Sequence, residues 1–300
     1  MTNTRMAVLP DRGVVSVTGA DAGKLLQGLI TNDIGQARDG AAIHAALLTP
    51  QGKILFAFFV VPTVDGLLLE TERDQATALA KRLTFYKLRA AAKIEDLSQT
   101  LRVGVTWDAA AKPSPQGGRG SAVAASYCDP RHHALGRRLI LTAASQVEVT
   151  ATAADYHAHR IAIGVPEAGY DYPLGDTFAH EADLDLFGGV DFDKGCFVGQ
   201  EVVARMQHKT VVRKRVVRVA APGALPADHP DITVGANAAV IGRLGSVSAS
   251  HGLALIRLDR VVEALDKGEP ISAAGQSLIV APEAVAAYRA AVAAKPAAAP

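Results

Sequence analysis

The residues able to do chemistry gather in one stretch, Asp193-Lys194-Gly195-Cys196-Phe197-Val198-Gly199-Gln200-Glu201-Val202-Val203-Ala204-Arg205. Thirteen residues there hold a lysine, one of the chain's two cysteines, a carboxamide, a carboxylate and an arginine. A thiol reacts as its thiolate, and a cationic neighbour or a helix N-terminus favours that form. Lys194 is such a neighbour, and the run from Gly199 to Gln207 reads as a helix that starts beside the cysteine. Glu201 and Arg205 have the i,i+4 spacing that pairs charges on one helix face. Val198, Val202 and Met206 form an apolar stripe expected to face the core. The plainer account is a packed, inert cysteine and a carboxylate favoured by the helix start. Further on, Lys209, Arg213, Lys214, Arg215 and Arg218 are either a charge-protected edge strand or a rim for a small acidic ligand.

Composition narrows the chemistry. The formal charge is +1, with 49% apolar and 20% charged residues, which is ordinary for a globular protein and gives no reason to expect nucleic acid or an anionic membrane as partner. Three hundred residues imply two or three packed subdomains. Met1 to Met6 lack the apolar core of a signal peptide, and Ile54 to Val61 is too short to span a bilayer; the default expectation is cytoplasmic. Cys128 and Cys196 lack Cys-x-x-Cys spacing, and two thiols cannot supply the usual four of an iron–sulfur cluster or a thiol-based zinc site. The nine histidines show no His-Glu-x-x-His pattern, and no metal site is expected. No Gly-x-Gly-x-x-Gly turn after a strand and no Walker lysine motif occurs.

The elements that must position this stretch mix strands and helices. Val14 to Val17 reads as a strand. Asp21 is placed to cap a short helix with Leu25, Leu26, Leu29 and Ile30 on its apolar face, and Thr31-Asn32-Asp33 is a polar turn. Ala45 to Leu48, Pro50 to Lys53 and Ile54 to Val61 read as strand, turn, strand. Leu67 to Thr71 is a further strand, followed by an amphipathic helix from Asp74 to Leu88 burying Leu79, Leu83, Tyr86 and Phe85. A strand at Leu101 to Trp107 leads into a Pro/Gly-rich loop near 108–121. Arg138 to Leu141 and a helix at Ala154 to Ile163 follow. After Val211, short β-rich runs (Val216 to Val219, Ala238 to Ile241, Leu253 to Leu258, Ser277 to Val280) suggest an all-β module. The expected divisions are an α+β body over 1–210 with two subdomains, a C-terminal β-barrel over 211–285, and an Ala/Pro-rich tail over 286–300.

Lys194-Gly195-Cys196-Phe197-Val198-Gly199-Gln200-Glu201 resembles the Lys-Gly-Cys-Tyr-x-Gly-Gln-Glu signature of the YgfZ family, folate-binding iron–sulfur cluster assembly and repair proteins related to the glycine cleavage T-protein, an aminomethyltransferase. Phe197 replaces the usual tyrosine, so any role of a phenol there is lost. The resemblance extends over Val17 to Asp33, Leu48 to Ile54, Arg160 to Glu167, and Glu181. It implies an α+β fold: a T-protein-like body of interlocked α+β subdomains with a C-terminal β-barrel, and a folate pocket. The aminomethyltransferases carry adjacent aspartates on the strand after the Pro-x-Gly turn. Phe56 and Ala57 stand at the matching places, and neither accepts a proton.

Carried over from the resemblance, Cys196 is the reactive thiol, assisted by Lys194. Glu181 is the acceptor for the pterin ring, since a carboxylate takes two N–H donors from an aminopyrimidine edge. Asn32 and Asp33 line the same pocket, Gln200 and Glu201 adjoin the thiol, and Arg205 meets the glutamate tail. The implied cofactor is tetrahydrofolate or a derivative, and the implied partners are iron–sulfur client or assembly proteins. The expected function is a folate-dependent accessory factor for iron–sulfur cluster assembly or repair. The alternatives are a tetrahydrofolate-dependent one-carbon enzyme and a non-catalytic folate-binding protein.

Overall fold

The computed structural model describes residues 4–38, 40–107 and 123–294. Its contacts divide the chain into two units, Met1–Tyr156 with Leu184–Gln200, and His157–Asp183 with Glu201–Pro300. Residues 157–183 and 201–210 thus group with the C-terminal strands rather than with the N-terminal body. The loop expected near 108–121 lies outside the described residues, as does the end of the Ala/Pro-rich tail.

The first unit runs β1 (Arg5–Leu9), β2 (Arg12–Thr18), α1 (Ala22–Gln27), β3 (Ile43–Leu48), β4 (Ile54–Thr63), β5 (Gly66–Glu72), α2 (Arg73–Lys87), β6 (Lys93–Asp96), β7 (Leu101–Trp107), β8 (Val123–Cys128), β9 (Arg137–Thr142) and the start of α3 (Ala153–Ile163). Its antiparallel sheets have the orders β3-β4-β5-β2-β6 and β1-β7-β9-β8. Strand periodicity sends Val15 and Val17, Ala45 and Leu47, Phe56 and Phe58, and Leu67 and Leu69 to one face. There they pack with Leu26 and Ile30, which follow the α1 pattern, and with Leu79 and Leu83 of α2. Asp21 does not cap α1; its carboxylate accepts from the Ala91 N–H at 2.7 Å instead. Phe85, expected on the buried side of α2, is exposed.

The opposite face of β4 and β5 is buried too, which is why Ile54 to Val61 reads as a continuous apolar run. It carries a charge cluster that periodicity did not reveal. Glu70, fully buried, accepts from Arg12 Nε at 3.1 Å, from the Arg138 guanidinium and from the Tyr127 hydroxyl. Arg138 also reaches Asp129 and donates to the Tyr156 hydroxyl at 3.0 Å. Arg131 pairs with Asp129 at 2.9 Å, and the guanidiniums of Arg12, Arg131 and Arg138 lie over the Phe59 ring. Burial alone would raise the Glu70 pKa. The guanidiniums of Arg138 and Arg12 outweigh it and hold the carboxyl below its ordinary value. Asp129 is held down in the same way, by Arg131 and Arg138 against burial.

The second unit contains the rest of α3, α4 (Gln200–Lys209) from Glu201 onward, and β10 (Lys214–Ala220), β11 (Asp231–Val234), β12 (Ala239–Ser248), β13 (His251–Arg257), α5 (Leu258–Lys267), β14 (Ile271–Ala273), β15 (Gln276–Ser277), β16 (Ile279–Val280) and α6 (Pro282–Ala293). The sheet order is β15-β14-β11-β12-β13-β10-β16. Its two edge strands are separated only by Leu278, so one short segment pairs with β14 on one side and β10 on the other. That pairing nearly closes a barrel around Ile232, Leu244, Ala254 and Ile256. The unit is not all-β as expected. α5 inserts after β13 and buries Leu258, Val261 and Ala264 at helical spacing. Likewise α6 fills part of the expected tail. Among the described residues, no helix is long and apolar enough to cross a membrane.

Candidate functional site

The strap from Asp191 to Gln200 is tied down at both ends. At the first end, the Asp191 N–H donates to Thr31 O at 3.0 Å. Its Oδ1 accepts the N–H groups of Asp193 and Lys194, and its Oδ2 accepts from Gln36 Nε2 at 2.6 Å. Thr31 and Asn32 extend the tie. Thr31 Oγ1 donates to Gly189 O at 2.6 Å and accepts from Ala46 N, which fixes residues 188–189 to β3. Asn32 Nδ2 donates to His44 O at 2.8 Å and Gly188 O at 2.7 Å, while its Oδ1 accepts from Asp33 N.

At the other end, Gln200 Oε1 accepts the Phe197 N–H at 2.9 Å and caps the approach to α4. Val198 packs against the apolar core of the first sheet. Gly199 adopts φ +83°, and a Cβ there would stand 2.6 Å from Thr49 O in the β3–β4 turn. Only glycine allows both that backbone and that approach. The helix therefore starts at Gln200, one residue later than expected, and Cys196 lies ahead of it, as expected.

Lys194 is committed differently from expectation. Its Nζ donates to three backbone carbonyls, Gln27 O at 2.9 Å, Ile30 O at 2.6 Å and Asn32 O at 3.0 Å. An ammonium has three protons, so each has an acceptor and the group serves as a clamp on the end of α1 and the turn that follows. It also lies over the Phe197 ring, 5.1 Å from its centre. Half-burial pushes the ammonium down to about 8, against the opposing pull of Asp33 and Asp191. The ammonium thus fixes the loop through backbone carbonyls.

Cys196 itself is exposed and free, as is Cys128. Gly195 has nothing within 4 Å of where a Cβ would stand. Asp33 Oδ1 caps the short 3-10 turn that follows by accepting from Gly35 N. Among the described residues, no three His, Cys, Asp or Glu side chains gather as a metal-binding group.

In the second unit, Glu181 sits half-buried in the turns that follow α3. Its Oε2 accepts from Phe178 N at 3.0 Å, and its backbone oxygen accepts from Val216 N. Arg215 donates to His180 O and pairs with Asp183 at 2.8 Å, and His180 Nε2 meets Gln207 Oε1 at 3.0 Å. The loop bearing Glu181 is thereby fixed to both β10 and α4. Glu201 and Arg205 are exposed, and among the described residues no ion pair joins them. The buried residue of α4 is Val203, with Val202 and Met206 half-buried. Arg215 and Arg218 are paired with Asp183 and Glu283, which removes both from a rim for acidic ligands. In the first unit, Phe56 and Ala57 are buried on β4, with Phe56 in the apolar core; no carboxylate stands at either place.

Comparisons place this geometry in a family. Residues 213–287 match the family model for the CAF17 C-terminal beta-barrel domain. A protein of Mycosarcoma maydis described as iron–sulfur cluster assembly factor IBA57 homolog, mitochondrial, is 36% identical over 232 residues, covering 71% of this chain and 56% of the fungal protein. The chain thus spans about half the length of that relative. The human iron–sulfur cluster assembly factor IBA57, mitochondrial, is 32% identical over 280 residues, covering 84% of this chain and 77% of the human protein. The chain belongs to the IBA57 family. IBA57 proteins are YgfZ-related iron–sulfur assembly factors, so the octapeptide resemblance holds at that level. The crystal structure of glycine cleavage system aminomethyltransferase T from Bartonella henselae superposes with a TM-score of 0.69 over 93% of this chain and 85% of its own, at 14% identity. That likeness establishes the T-protein-like fold with its nearly closed C-terminal barrel. The cytoplasmic expectation is overturned, because the IBA57 relatives are named as mitochondrial.

Proposed function

We propose that this chain is an iron–sulfur cluster assembly factor in which Cys196 is the working thiol, acting with ligands supplied by a partner protein. One observation carries the reading: an exposed cysteine on a strap anchored at both ends. An inert structural cysteine is normally buried, and a strap held this firmly keeps its thiol at a defined place. On losing its proton, Cys196 offers iron one thiolate bond, and the remaining ligands come from the assembly partner or client that gives or receives the cluster. Phe56 and Ala57 weigh against aminomethyl transfer, since nothing at those places can take a proton or hold an ammonium.

Tetrahydrofolate binding belongs to the same proposal. Its support is narrow. The Glu181 carboxylate fits one N–H of an aminopyrimidine edge, and the exposed Arg205 fits a carboxylate tail. Asn32 and Gln200 are spent on backbone groups and have structural roles. Replacing Cys196 by Ala abolishes restoration of iron–sulfur enzyme activity in cells lacking the factor, while the purified variant keeps the wild-type melting temperature. Full restoration by that variant removes the thiol from the mechanism. Calorimetry with tetrahydrofolate on wild type and Glu181→Ala tests the second part: heat in the first and none in the second is expected. Equal binding by both removes Glu181, and no binding by either removes folate.

A further inference from the structure

Among the described residues, the C-terminal end of α2 presents an exposed face. The helix buries Ala76, Leu79 and Leu83, which turns Phe85 outward, 71% exposed. Lys81 and Arg82 lie one turn before Phe85 on the same face. Leu88 ends the helix at φ +47°, ψ −106° and is 85% exposed. Helices commonly end on glycine in the left-handed region because a Cβ is strained there. Here a leucine takes that conformation and holds an apolar side chain in water. Backbone strain of this kind clusters at functional sites.

Charge points the same way. No acidic residue occurs between Asp74 and Glu95. Among the described residues, Lys81, Arg82, Lys87 and Arg89 form no ion pair. Other exposed arginines do pair: Arg218 with Glu283, Arg260 with Glu263, Arg289 with Asp266. Lys81, Arg82, Lys87 and Arg89 thus stand unpaired near two exposed apolar side chains, with the Asp21 carboxylate held close by on the Ala91 N–H. An apolar centre, aromatic and arginine residues, and a polar rim are the anatomy of a protein–protein interface.

We propose that this face docks an acidic protein surface, a segment carrying apolar side chains flanked by Asp or Glu. A membrane is less suited, because the apolar stripe of α2 is already spent on its own core and no amphipathic face remains to enter lipid. Nucleic acid is less suited because a single exposed ring gives no stacking series. The inference is independent of Cys196 and of the cluster reading.

The probe is a labelled synthetic helix with two leucines flanked by glutamates, followed by fluorescence anisotropy against the whole chain at low and high salt. Wild type binds it, more weakly at high salt. Phe85→Ser, Arg82→Glu and Leu88→Gly each weaken binding by about tenfold or more. Leu88→Gly also raises the melting temperature by relieving the left-handed leucine, so its lost binding cannot be lost folding. Failure of wild type to bind overturns the proposal, as does equal binding by the three variants. Phe85-dependent binding to phosphatidylserine vesicles or to a single-stranded oligonucleotide, with none to the peptide, overturns it as well.

Discussion

Lys194→Met tests whether the lysine of the signature holds the strap or serves the thiol directly. The substitution keeps the length of the stem and removes the ammonium. Three carbonyls then lose a donor: Gln27 O, Ile30 O and Asn32 O. Ile30 is wholly buried and Asn32 only 5% exposed, so two of these oxygens have little access to replacement water. A buried polar group left without a partner costs about 1–3 kcal/mol. The third carbonyl is half-exposed and adds little. Relief from half-burying the ammonium offsets part of the total, and a net loss of about 3 kcal/mol is expected. At about 2–4 °C per kcal/mol for a unit of this size, the melting temperature falls by roughly 6–12 °C. Hydrogen exchange should quicken in residues 27–33 and 191–198, on both sides of the clamp, and Lys194→Arg should restore part of the loss. A melting temperature within about 1 °C of wild type, with unchanged exchange, would refute the clamp and return the ammonium to the thiol.

Glu70→Gln leaves the buried guanidiniums of Arg138 and Arg12 without their charge partner; a loss of about 3–5 kcal/mol in urea unfolding is expected. Because Glu70 and Asp129 both titrate below their ordinary values in the folded chain, their stabilisation is present at neutral pH. It drains away as pH falls below about 4. Acid unfolding should be steeper for wild type than for Glu70→Gln. At the other extreme, Lys194 titrates near 8 in the folded chain, and about 10.4 unfolded. The folded state then binds fewer protons than the unfolded between those values, so this group makes stability rise with pH over that window. Lys194→Met should flatten the rise. Gly199→Ala meets both a left-handed φ and Thr49 O at 2.6 Å; destabilisation of about 2 kcal/mol or more is expected from thermal melts.

Much of the fold could be read from local pattern. The strands β3, β4 and β5 and the helices α2 and α3 were bounded to within a few residues by periodicity and turn chemistry. Phe85 was misplaced because a pattern of Leu79, Leu83, Tyr86 and Phe85 makes too wide a stripe for one buried face. α5 was missed because Leu253 to Leu258 reads as one short β-rich run, which hides that Leu258 begins a helix. β8 carries little alternation in Val-Ala-Ala-Ser-Tyr-Cys and gains its order from pairing with β9. The charge cluster around Glu70 was illegible for a different reason. Arg12 and Arg138 lie far apart in the chain, and only the packing of two sheets brings both to the Glu70 carboxylate. Glu70 and Glu72 within an otherwise apolar strand were the one available signal. Lys194 looked like a neighbour of Cys196 because adjacency in sequence was all that could be seen. Its contacts lie more than 160 residues earlier in the chain.

The octapeptide that stood out in the sequence separates, in the structure, into residues that build the strap and residues that are left over. Lys194 clamps the end of α1. Phe197 lies under that ammonium and gives its N–H to Gln200. Val198 enters the apolar core, and Gly199 allows the close passage over the β3–β4 turn. None of these requires a thiol at the crest. A serine or alanine at 196 would fit the same exposed place, and a side chain at Gly195 would meet nothing within 4 Å. Folding therefore accounts for five of the first seven positions through specific contacts, Gln200 included, and says nothing for Gly195 and Cys196. What the strap does is hold an accessible thiol still. In the function proposed for it, that thiolate is half of an arrangement whose other half a partner's ligands supply.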